Sequence, residues 1–215
     1  MKKKNSILIF EIISTIFVMV LGTLLHFTYK WSGNNAIVGI FSPINESIWE
    51  HLKLMFFPML INIIIGYFYK GKDVDNYLSS KAIGTVVMIS FTIVFYYTYS
   101  GILGTSYTGV DVSIFFIAVA LGQYVSYKLM KTKFHGNNII AIITLLALLL
   151  CFVVFTFFPP NIALFKDLSW FLNYEFVLIL GTGVKGIFNN IKKCLKNYCN
   201  FNKLRCLKLW KKIKL

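Results

Sequence analysis

The sequence predicts an all-α, polytopic transmembrane helical bundle of about six spans. Three observations predict it. Hydrophobic residues make up 57% of the 215 positions and charged residues only 14%, against about 25% charged in a soluble domain. Mean hydropathy is +0.70. Apolar runs long enough to cross a bilayer recur at intervals, separated by short polar segments. Such helices associate through close packing and polar contacts, because lipid already solvates their apolar side chains.

The first run, Ile7 to Leu25, follows Lys2-Lys3-Lys4. A basic start and an apolar middle resemble a signal peptide, but no Ala-x-Ala-like cleavage site follows and Glu11 interrupts the stretch, so an uncleaved first span is expected. Further spans are expected near 52–69, 82–99, 112–127, 139–158 and 170–184. The fifth carries no charge across its length, while the sixth is short and contains Asn173 and Glu175. Tyr29, Trp31, Tyr67, Tyr69, Tyr96, Tyr97, Tyr99 and Tyr127 fall near the expected interfaces and read as an aromatic belt. The transmembrane domain covers 1–184, and a basic tail covers 185–215.

Loop charge orients the spans. With the N-terminus inside, nineteen basic residues fall on the cytoplasmic side and three, Lys30, Lys53 and Lys166, fall outside. That asymmetry predicts a plasma-membrane protein with both ends in the cytoplasm, and hence an even number of spans. Without the sixth crossing the ten basic residues of the tail move outside and the asymmetry reverses.

The tail has no acidic residue, and Ile191, Leu195, Tyr198, Phe201, Leu204 and Leu207 recur at helical steps. It reads as a helix lying on anionic lipid headgroups, each basic residue contributing roughly 1 kcal/mol near the surface. Nucleic acid is not an expected partner of a tail tethered to a membrane. Cys151, Cys194, Cys199 and Cys206 match no zinc-ligand spacing and read as free thiols.

One segment concentrates the chemistry: Pro43-Ile44-Asn45-Glu46-Ser47-Ile48-Trp49-Glu50-His51-Leu52-Lys53. Ionisable groups at the edge of a bilayer are costly unless paired, hydrated or used. Ser42 as N-cap and Pro43 at the first helical position predict that the second helix begins there, with Pro58 inside it. At about 100° per residue, Glu46, Trp49, Glu50 and Lys53 then share a face, and His51 points about 140° away from Glu46. Two readings stand side by side. In the structural one, Glu46 complements the positive helix end, Glu50 pairs with Lys53, Trp49 anchors at the interface and His51 bonds to another helix. In the functional one, Asn45, Glu46, Trp49, Glu50, His51 and Lys53 line an outward-facing cleft for a small ligand or ion. A divalent metal would be held by His26, Glu46 and Glu50. The same groups could serve a membrane-embedded metal-dependent hydrolase as acid and base, or a non-catalytic structural or regulatory partner. No His-Glu-x-x-His or Gly-x-Ser-x-Gly motif is present, so no activity follows from motifs. Glu11 has three open fates: reaching the interface, pairing with a lysine, or protonation.

The run Phe41-Ser42-Pro43-x-Asn45-Glu46-Ser47-x-Trp49-Glu50-His51-Leu52-Lys53, followed by Phe56-Phe57-Pro58, resembles an uncharacterised family of small multi-pass membrane proteins from low-GC Gram-positive bacteria. His26-Phe27-x-Tyr29, Ser32-Gly33-x-Asn35, Phe158-Pro159-Pro160 and Leu164-Phe165-x-Asp167 extend the likeness over about residues 7 to 167. The resemblance implies a membrane location and no activity. After Asp167, Leu168-Ser169-Trp170-Phe171 departs from the family's pattern.

Overall fold

In a computed structural model the described residues are 2–69, 71–132 and 134–166. They form six helices: α1 (Lys2–Trp31), α2 (Ala36–Phe41), α3 (Ile48–Tyr69), α4 (Tyr77–Leu103), α5 (Thr108–Lys131) and α6 (Asn138–Phe157). Short 3-10 turns occupy Gly71–Asp73 and Ala163–Phe165. The described residues contain no strand, and the predicted helical bundle is what forms. Five helices, all but α2, are long and apolar enough to cross a membrane. The sixth expected span, 170–184, and the basic tail, 185–215, lie outside the described residues.

α3 is the hub. It packs on α1 and α4, and α4 packs in turn on α5 and α6. Of the five long helices α3 has the most buried span, whereas α1 and α6 present most of theirs to the surroundings. Val18, Leu52, Phe56, Met59, Met88, Val119 and Phe152 form the centre of the core. Two backbone approaches set this packing. Pro58 has no N–H for the carbonyl of Leu54 one turn back, and Gly22 of α1 sits against that carbonyl, where a Cβ would overlap it. Gly84 and Gly122 bring α4 and α5 together in the same way: a Cβ on Gly122 would stand 2.6 Å from the Gly84 carbonyl oxygen. Small residues permit such approaches where no water drives association.

The segment before α3 departs from expectation. The helix begins at Ile48, not at Pro43. Ser42 does not cap it: its hydroxyl donates to Leu25 O (2.5 Å) and accepts from Tyr29 N (3.1 Å), tying the chain back to α1. The cap is Ser47, whose Oγ accepts from Glu50 N at 3.3 Å. Asn45 Oδ1 accepts from Ser47 N at 2.9 Å, closing a local turn that holds residues 42–47 out of helix. Pro43 instead follows the end of α2, a short helix that the sequence reading passed over and that Asn35 caps through Ile37 N (2.9 Å).

α4 likewise starts at Tyr77, so Lys81 lies one turn inside it rather than in a loop. Trp49, expected at the interface, is buried against Phe152 and Phe165, with ring centroids 4.6 and 4.8 Å away.

Candidate functional site

The new helix start decides the geometry of the polar segment. With Glu46 outside α3, the rotation of about 100° per residue no longer separates it from His51. Glu46 Oε2 and His51 Nε2 are 3.3 Å apart, where the helical reading had pointed His51 elsewhere. His26, near the end of α1, completes a trio: its ring lies 5.3 Å from that of His51, and one ligand atom from each of His26, Glu46 and His51 lies within 4.8 Å of the others. Lys30 Nζ approaches Glu46 Oε1 at 3.9 Å. Beside the trio is a cavity of about 260 Å³, lined by His26, Tyr29, Lys30, Asn34, Asn45 and Glu46 among others.

The hydrogen bonds fix the state of His51. Its Nδ1 stands 2.9 Å from Ser47 O, an acceptor only, so Nδ1 carries a hydrogen and donates it. Nε2 then faces the Glu46 carboxylate. Bare, it would set one acceptor against another, so this edge of the ring demands a cation, either a proton on Nε2 or a metal ion between the two groups. That hydrogen bond from His51 is also the main reason the Glu46 carboxyl is held below the usual carboxylate range. Tetrahedral zinc with bonds of about 2.0–2.1 Å spaces its ligand atoms about 3.4 Å apart, which the Glu46–His51 separation already matches.

Glu50 and Lys53 form a second, separate unit. Glu50, expected beside His26 and Glu46, turns inward instead: its Oε2 accepts from Lys53 Nζ (2.6 Å) and from Ile44 N (3.0 Å). Lys53 Nζ also donates to Gly39 O of α2 at 2.9 Å. Both side chains are buried. This unit clamps α2 and the 42–47 segment onto α3, and so holds Glu46 where it is. Lys53 had been counted as an external positive charge and Lys81 as an internal one; each is instead buried against an acid. Removing both from the six-span count leaves eighteen basic residues against two, ten of the eighteen lying in the tail outside the described residues.

Sequence reasoning named His26, Glu46 and His51 but grouped the metal set as His26, Glu46 and Glu50. The signal that separates them was present: Asn45-x-Ser47 is a turn pattern, and Ser47-x-x-Glu50 marks a helix start. Asp111 of α5 meets the Tyr99 hydroxyl of α4 and stands within Coulombic reach of His51.

These features define a class, an all-helical protein with, among the described residues, five membrane-length helices and a histidine–carboxylate cluster where α1 meets α3. The chain belongs to DUF6512, a family of unknown function whose pattern matches residues 1–170. Comparison with curated proteins and with solved structures finds no match.

Proposed function

We propose that this is a multi-pass plasma-membrane protein whose outer rim binds a small ligand or ion, specifically a divalent transition metal of the zinc class, through His26, Glu46 and His51. The observation that carries the reading is the convergence of three ligand atoms within 4.8 Å from α1, the connecting segment and α3. Two imidazoles and a carboxylate suit zinc, and three protein ligands leave one coordination position free. The adjoining cavity, lined by His26 and Glu46, is where that position would face. A metal-dependent hydrolase is the second reading, and the same cavity favours it over a purely structural role: a metal there could activate water next to a bound molecule. Asn45 acts in holding the loop and lining the cavity. Trp49, Glu50 and Lys53 support the site from behind rather than touching the ligand.

Eighteen to two in loop charge supports placing the rim outside and the chain ends inside. The basic tail, on this reading, lies on anionic headgroups, and lipid is its partner rather than nucleic acid.

The test is titration of the purified, detergent-solubilised full chain with cobalt(II) and zinc, read by cobalt absorption and elemental analysis. One tight site is expected. His26→Ala and His51→Ala should weaken it by more than the roughly 10–100-fold that loss of an outer-shell partner costs, while His135→Ala, in an exposed loop, should not. Undiminished binding in both rim variants would overturn the assignment. For orientation, Ala36→Cys in a background without other cysteines places a thiol at an exposed position beside the rim. An impermeant maleimide should label it on intact cells; labelling only after lysis would reverse the topology.

A further inference from the structure

A second polar group lies far from the rim. Glu11 is fifteen residues before His26 on the same helix, about 22 Å along its axis, and within the membrane-length part of α1. Its Oε2 accepts from Lys81 Nζ of α4 at 2.7 Å, and Lys81 also donates to Gln123 Oε1 of α5 at 2.8 Å. One turn along α1, Ser14 donates to Asn62 Oδ1 of α3 at 2.8 Å. Four helices thus contribute to one layer, and every side chain in it is at least nine-tenths buried.

The layer is incomplete. Among the described residues, five buried side-chain atoms have no hydrogen-bond partner, and four belong to it or adjoin it: Glu11 Oε1, Asn62 Nδ2, Gln123 Nε2 and Ser80 Oγ. A carboxylate oxygen left bare in hydrocarbon is costly. Three things could satisfy it. A proton on Glu11 would leave the amide N–H groups of Asn62 and Gln123 still unmet. A second cation would be repelled by Lys81 and would meet N–H donors. Water fits the first need by donating to Glu11 Oε1, and further water within the layer would meet the second by accepting from the amides. A cavity of about 10 Å³ adjoins Glu11, lined also by Tyr77, Gly66, Gly71 and Met130, and about 10–15 Å³ holds one water molecule. Gly71 belongs to the turn between α3 and α4, so this cavity reaches from that turn toward Glu11.

We propose that the Glu11–Lys81–Gln123 layer is an intramembrane water-binding site, hydrated from the α3–α4 turn, at the end of the bundle opposite the rim. Bound water completes the hydrogen bonds of a charged pair that would otherwise be left half-solvated between the helices. The site shares no residue with the rim cluster, and its water is read with metal chelated away, so the two proposals fail separately.

The experiment is infrared difference spectroscopy of the full chain in lipid vesicles with a chelator, in ordinary and heavy-oxygen water. The wild type is compared with Glu11→Gln/Lys81→Met, which keeps shape and removes charge, and with Asn62→Leu; far-UV circular dichroism confirms that each retains its helix. The expected result is an oxygen-isotope-sensitive band of weakly bonded water in the wild type, lost or shifted in the variants. No carboxylic-acid carbonyl band should depend on Glu11. A water band indifferent to every folded variant would overturn the proposal. So would an acid carbonyl band in the wild type that disappears when Glu11 is replaced, since Glu11 would then hold a proton in place of water.

Discussion

Replacing Lys53 by Met should be among the most damaging single changes to this protein. The side chain is fully buried, and its ammonium is bound to Glu50 Oε2 at 2.6 Å and to Gly39 O at 2.9 Å. Methionine fills nearly the same volume, so the loss is electrostatic. Glu50 is left as a buried charge with one backbone N–H, that of Ile44, and the Thr156 hydroxyl 3.5 Å from its other oxygen. Removing one partner of a buried pair costs about 3–5 kcal/mol, or two to four orders of magnitude in the unfolding equilibrium at about 1.4 kcal/mol per tenfold. Lys53→Met/Glu50→Gln should recover most of that, because a neutral amide can still accept from Ile44 N. The assay is equilibrium unfolding of the detergent-solubilised protein in sodium dodecyl sulfate, followed by far-UV circular dichroism. The reasoning is refuted if Lys53→Met unfolds within about 1 kcal/mol of wild type, or if the double variant is no more stable than the single. Glu50→Gln alone should also be harmful, since it leaves the Lys53 ammonium uncompensated.

Four further outcomes follow from the geometry. Metal affinity at the rim should fall as pH is lowered from about 8 to 6, because protons compete for the two imidazoles; isothermal titration at a series of pH values measures it, and a flat profile would contradict histidine ligation. The Glu46 carboxyl is held below its ordinary value, so in the metal-free protein its contribution to stability is complete above the unfolded carboxyl value of about 4.3 and is lost as pH falls through the lower folded one. With Glu46 half-exposed, that contribution is under about 1 kcal/mol, and the melting curves of wild type and Glu46→Gln should converge only once pH has fallen below the lowered folded value. Gly122→Ala should destabilise by about 1–3 kcal/mol, since its Cβ would stand 2.6 Å from the Gly84 carbonyl oxygen and 2.9 Å from Met88 Cβ; an unchanged unfolding midpoint would mean α4 and α5 are free to separate. Asn76→Ala should cost about 1–3 kcal/mol, because Asn76 Nδ2 donates to Leu129 O (2.9 Å) and Phe134 O (3.0 Å) and so ties the end of α5 to the start of α4.

Much of the fold was legible because span length and hydropathy are local properties. The fifth expected span, 139–158, differs by one residue at each end from α6, Asn138–Phe157, since an uninterrupted apolar run leaves little else for the chain to do. The helix starts were harder. Ser42-Pro43 and Ser47 are both sound capping candidates in isolation. The choice went to Ser47 because α1 captures the Ser42 hydroxyl through Leu25 O, a contact across seventeen residues that no local pattern contains. That single decision moved Glu46 off the helix and replaced Glu50 with His51 beside His26.

The sequence by itself determined the helical class, the membrane-length segments and the small set of ionisable groups able to matter, because composition and periodicity act over a few turns. Only the tertiary structure decided which of those groups meet. Glu11 lies seventy residues from Lys81, and His26 twenty-five from His51. Whether such pairs form depends on helix rotation and on how closely backbones approach at Gly22, Gly84 and Gly122, which are set when the helices pack together.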